Sequence, residues 1–114
     1  MPKKNNVAFI GRALDEIKDF PTDARQSAGY QIDKVQNGNM PDDWKSVPGV
    51  GVGVKEIRIW ESEGTYRVIY VSKYEEAVYV LHAFSKKSDS IPKETLETIK
   101  SRYKSMELQR RVQK

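Results

Sequence analysis

Residues 53–88, GVKEIRIWESEGTYRVIYVSKYEEAVYVLHAFSKKS, constrain this chain more than any other stretch. Residues 54–60 put Ile57 and Ile59 on one face and Glu56 and Arg58 on the other, the period of a half-buried strand. Residues 65–71 are rich in tyrosine, valine and isoleucine. There Tyr66, Val68 and Tyr70 share one face, and Arg67, Ile69 and Val71 share the other. Residues 77–84 are almost wholly apolar, as in a central strand buried on both sides. The links at 61–64, ending in Gly64, and at 72–76 are short, so hairpins join the strands. Five basic residues lie at or near strand ends: Lys55, Arg58, Arg67, Lys86 and Lys87. A sheet that presents such side chains, rather than an apolar pocket, suits phosphate.

The flanks read as helices that cover this sheet. Ile10, Leu14 and Ile17 stand at helical spacing within residues 7–20, and Pro21 ends that pattern and opens the next helix. The second helix puts Ala24, Ala28, Ile32 and Val35 on one stripe and stops at Asn37-Gly38-Asn39. Residues 40–53 form a loop that Trp44 pins to the core, with an extra edge strand allowed at 47–54. Gly49, Gly51 and Gly53 run into a strand instead of opening a helix, so they are not a phosphate-binding loop. After the exit loop at 85–90, Pro92 opens a last helix with Leu96, Ile99, Tyr103 and Met106 on one stripe. The order ααβββα predicts an α+β domain. Its antiparallel sheet of three to four strands is flanked by an N-terminal helical hairpin and a C-terminal helix. One domain spans 1–114, with 1–6 and 109–114 as flexible tails.

Composition narrows the function. The chain lacks cysteine, which excludes a disulfide framework, a thiolate metal site and a cysteine nucleophile. No apolar run approaches the ~20 residues of a membrane helix, and MPKKNN has no signal-peptide core, so a cytoplasmic protein is expected. Residues 1–50 hold seven basic and seven acidic side chains, whereas residues 51–114 hold thirteen and nine and carry the whole net +4. A basic half suits an anionic partner, nucleic acid first. Such charge also keeps a small domain in solution.

Individual residues leave alternatives open. Arg67 lies mid-strand between Tyr66 and Val68. A charge there needs water, a partner or a ligand, so a salt bridge to Glu56, a solvated face and a bound phosphate all meet the need. Arg58, on the adjacent strand, either converges with Arg67 on a phosphate or is neutralised by Glu56. Lys86 and Lys87 end the third strand as phosphate ligands, as proton donors of lowered pKa, or as an ordinary basic turn. His82, the single histidine, suits acid–base work, although a lone histidine in an apolar strand is more often a hydrogen-bonded core residue. One histidine without cysteine argues against zinc. Lys93, Lys100, Arg102 and Lys104 line the last helix away from its stripe, facing either solvent or a nucleic-acid backbone. Lys55 and Lys93 are the candidate RNA-binding positions beside the site.

The motifs GVKEIRI, TYRVIYV and AVYVLHAFSKKSDSIP, preceded by AFIGRALDEIKDFP and DARQSAGYQIDKVQNGNMPDDW, closely resemble the phage-related Gp49-like HigB proteins. These belong to the RelE/ParE superfamily of type II toxins, and the resemblance covers residues 7–104. It implies the helix-flanked antiparallel sheet above and a ribosome-dependent endoribonuclease that cuts mRNA. It also implies a cognate helix-turn-helix antitoxin of the HigA kind, with neither metal nor small-molecule cofactor. By position, Arg67 matches the sheet arginine linked to catalysis, and Arg58 a second basic sheet position. Lys86 and Lys87 match the basic pair after the last long strand, and His82 the histidine of the LHAF motif. Two departures matter. Ser90 stands where related proteins often carry lysine, and SDSIPKE lacks the tyrosine that RelE uses. The general base is therefore not carried over.

Metal-free RNA cleavage uses the 2′-OH as nucleophile and cations to stabilise the phosphorane. Arg67 and Arg58 would clamp the phosphate, Lys86 or Lys87 supply acid or charge, and His82 or a lysine serve as base. Two other readings compete on the same fold: a gyrase inhibitor of the ParE type, and an inactive module that binds antitoxin or nucleic acid.

Overall fold

The computed structural model describes residues 4–62, 64–86 and 90–112. Lys87, Glu63, most of the exit loop and the outermost residues of both tails lie outside the described residues. The elements are β1 (Val7–Phe9), α1 (Ala13–Lys18), α2 (Thr22–Gln36), β2 (Trp44–Ser46), β3 (Val54–Glu61), β4 (Gly64–Val71), β5 (Val78–Lys86) and α3 (Lys93–Val112). They form one sheet in the order β1-β5-β4-β3-β2.

The expected antiparallel sheet of three to four strands is overturned. This α+β protein has a mixed sheet of five strands, because β1 pairs parallel with β5 and β2 adds an antiparallel edge to β3. The expected first helix over 7–20 is replaced by a strand and a helix of six residues. Gly11 separates them at φ +57, a conformation that favours glycine, and a Cβ there would meet Arg102 Nε at 3.2 Å. Upstream of it, Val7 and Phe9 register against Val78 and Val80. The second edge strand lies at Trp44–Ser46 and not within 47–54.

The segment 4–6 is tied in by backbone bonds, Asn5 N–H to Gln36 O and Val78 N–H to Asn6 O. At the other end α3 continues through Val112, past Gln109 where a tail was expected. Arg110 explains the extension: it pairs with Glu76 and stacks 3.5 Å from the Tyr74 ring centroid.

The sheet is packed on both faces. On one, Ala24, Ala28, Ile32 and Val35 of α2 join Ile57, Ile59, Val68 and Tyr70. On the other, Ile99 and Met106 of α3 cover Val54, Ile69, Val71 and Leu81. A register shift in the β4/β5 ladder follows Ile69, which faces His82 while Tyr70 faces Val80. The resulting bulge turns Leu81 and His82 together toward α3, the re-aiming that bulges commonly produce. Farther along the same face stand Glu56, Arg58, Arg67 and Lys86. No helix among the described residues is long and apolar enough to cross a membrane.

Candidate functional site

Strand register brings the charges together. Arg58 stands directly opposite Arg67, Lys45 opposite Glu56, and Lys86 opposite Thr65 beside the Arg67 and Phe84 pair. Like charges in such cross-strand positions repel. Each arginine therefore has its own carboxylate. Arg67 Nε lies 3.4 Å from Glu56 Oε2, and Arg58 Nε lies 3.2 Å from Asp43 Oδ1. The salt bridge between Arg67 and Glu56 is thus formed. The neutralising partner of Arg58 is Asp43, from the loop before β2, and not Glu56.

Glu56 is the centre of the cluster. It is 0% exposed, and Lys86 Nζ approaches Oε1 at 3.5 Å while Lys45 Nζ approaches Oε2 at 3.8 Å. Glu56 Oε2 and Arg67 Nε make no hydrogen bond among the described residues, so their contact is ionic only. The Arg67 guanidinium donates to its neighbour's carbonyl, Tyr66 O, at 3.3 Å and lies 5.4 Å from the Trp60 ring centroid. Asp43 accepts from Trp60 Nε1 at 2.5 Å. That bond, helped by Arg58 and opposed by burial, holds its carboxyl below the ordinary range. Burial lowers the Lys86 pKa, and Glu56 offsets this only in part.

The cluster has two layers. The side chains of Arg67 and Lys86 are each 2% exposed and share the buried layer with Glu56, whereas Arg58 at 27% and Lys45 form an accessible rim.

The other sequence candidates lie elsewhere. Lys55 points to the opposite face, with Nζ 5.0 Å from the Trp44 ring centroid. Lys93 is exposed at the first residue of α3. His82 belongs to a different network, as a hydrogen-bonded interior residue. Its Nδ1 is 2.8 Å from Glu16 Oε1, and Glu16 accepts from Arg102 at 2.6 and 2.8 Å and from the Ala83 N–H at 3.2 Å. Arg102 also donates to Leu81 O at 3.0 Å, so α1, β5 and α3 are locked together. Arg102 is therefore committed inside the fold and does not belong to a solvated basic helix face. Sequence reading missed Lys45, Asp43 and Trp60 at the cluster. Only Trp60 had a signal, since it continues the period-2 face of Glu56 and Arg58.

Burial lowers the His82 pKa, with Glu16 opposing and Arg102 assisting the shift. Ring-proton NMR of this single histidine is expected to titrate below the ordinary value of about 6.5. Between that lowered midpoint and 6.5 the unfolded chain binds more protons, so stability falls on acidification through this window. His82→Phe should remove that part of the fall. A midpoint above 6.5 would show that the Glu16 carboxylate outweighs burial.

The fold and this face define a small α+β protein with a cationic, internally compensated sheet surface. The family model Phage derived protein Gp49-like (DUF891) matches residues 15–104, most of the chain. The protein therefore belongs to the phage-derived Gp49-like family, a family of toxin–antitoxin toxins. Comparison with curated proteins gave no match.

Proposed function

We propose that this protein is the toxin of a type II toxin–antitoxin pair of the HigB kind, a ribosome-dependent endoribonuclease that cuts mRNA. The observation that carries the reading is the Arg58 and Arg67 cross-strand pair. Arg58 of that pair is partly exposed and Arg67 buried, with Lys86 and Lys45 around them. In this reading the scissile phosphate docks on the accessible rim at Arg58 and Lys45. The 2′-OH attacks that phosphate as its proton passes to solvent water, the bond to the 5′ oxygen breaks, and a 2′,3′-cyclic phosphate and a 5′-OH result. Arg67 and Lys86 sit beneath and add a field that favours the extra negative charge of the phosphorane, in a site of low dielectric. Burial holds Lys86 beneath the rim, so it supplies charge and not a contact, and the leaving oxygen takes its proton from solvent water. His82 is engaged with Glu16 and Arg102 and takes no part. A sparse acid–base set fits an enzyme that relies on the ribosome to orient the 2′-OH in line. The same basic face, and the family membership, suit neutralisation by an acidic surface of a helix-turn-helix antitoxin.

Controlled expression of the wild type and of a Lys45→Gln/Arg58→Gln double variant tests this reading. Growth arrest with mRNA fragments bearing 5′-OH ends is expected for the wild type, and neither for the variant. Arrest with intact mRNA and blocked replication would replace the reading with gyrase inhibition. Absence of arrest in both strains would point to an inactive binding module.

A further inference from the structure

Trp60 has no role in the chemistry above. It follows Arg58 by two residues on β3 and shares its face. It is 58% exposed, although tryptophan is among the side chains with most to gain from burial. Nor is it loose. Its Nε1–H donates to Asp43 at 2.5 Å, and the same carboxylate holds Arg58 at 3.2 Å. Arg67 lies 5.4 Å from the ring centroid and is itself buried, so it occupies the inner side of the ring. The exposure therefore belongs to the outer face. A flat ring and an accessible guanidinium are thus fixed to one carboxylate, side by side.

That pairing matches one nucleotide unit, a base on the ring and its phosphate on the arginine. The partly exposed Arg58 guanidinium beside the ring favours an anionic partner over a neutral apolar one. We propose that Trp60 is a base-stacking platform for single-stranded RNA, which sets the position of a nucleotide against Arg58. The inference rests on the endoribonuclease reading and names a binding residue for that site. Every base has a π-face, so the platform supplies affinity and placement without choosing a sequence.

The test uses the full chain at low salt and two labelled probes of equal length, an oligouridylate and an abasic ribose-phosphate oligomer. Trp44→Phe, on the opposite sheet face, leaves Trp60 as the sole tryptophan reporter. Oligouridylate is expected to quench Trp60 fluorescence and to bind more tightly than the abasic probe. Trp60→Leu keeps an apolar cover over Arg67 without a flat ring. It should weaken oligouridylate about 5- to 100-fold, toward the abasic level, and leave abasic binding unchanged. Trp60→Phe should fall between. If Trp60→Leu weakens both probes equally, the ring only shields the buried ion pair and the inference falls while the enzyme reading stands. Unchanged oligouridylate affinity in Trp60→Leu would also overturn it, leaving a protein-docking surface. If the wild type binds neither probe, the inference and the RNA-cleaving reading fall together.

Discussion

Replacing Glu56 by alanine is expected to lower the unfolding free energy by about 3–5 kcal/mol, the range seen when one partner of a buried pair is removed. Glu56 is 0% exposed and is the carboxylate shared by Arg67, Lys86 and Lys45. Without it, Arg67 and Lys86, each at 2% exposure, lose the buried carboxylate that they share. Asp43 does not take over, because it is held by Arg58 and Trp60. Urea unfolding followed by circular dichroism measures the loss. A second variant separates charge from packing. Glu56→Leu/Arg67→Met/Lys86→Met replaces the ion cluster with apolar groups of similar size, and should recover most or all of the lost stability. It should not recover mRNA cleavage, since the field beneath the rim is gone. If Glu56→Ala unfolds within about 1 kcal/mol of the wild type, the range of a surface pair, the buried cluster is not a structural centre.

What the sequence shows of this fold follows the reach of local patterns. The three long strands were legible, two from the period-2 faces between Val54 and Val71 and the third from the apolar run at 77–84. The apolar stripes of α2 and α3 were legible for the same reason at period 3.6. The two short edge strands were not. Val7–Phe9 and Trp44–Ser46 span three residues each, and only pairing with β5 and β3 defines them. The helical spacing of Ile10, Leu14 and Ile17 then ran through Gly11, whose positive φ ends the strand and begins the turn into α1.

The candidate site divides along the same line. Arg58 and Arg67 were readable as neighbours because a hairpin fixes their register. Glu56 was readable as a partner of Arg67, but the partner of Arg58 was not, since Asp43 reaches it from the loop before β2. Nor was depth. Arg67 looks like the leading phosphate ligand in the sequence, yet in the fold it lies beneath Trp60 and against Glu56. His82 shows the opposite case. The apolar run around it suggested an interior role, and its contacts with Glu16 and Arg102 give it one.

That difference in depth separates the two arginines by experiment. Arg58→Ala is expected to reduce cleavage of mRNA on programmed ribosomes by about 10²–10³, the cost of losing one donor to a transition-state oxyanion. Its stability should change by less than about 1 kcal/mol, because the pair with Asp43 is partly exposed and screened. Arg67→Ala should also abolish cleavage, by two routes at once: it uncovers one side of Glu56 and weakens the fold, and it removes part of the field beneath the rim, so activity falls further than the folded fraction. Arg58→Lys refines the contrast. A lysine keeps the charge but not the forked donor geometry, so it should restore only part of the rate. Raising the salt should depress binding of the wild type more steeply than binding of Arg58→Ala, because each phosphate contact releases counter-ions. Wild-type cleavage rates in a folded Arg58→Ala protein would remove Arg58 from the clamp. The phosphate would then have to be met by Lys45, the other cation of the rim.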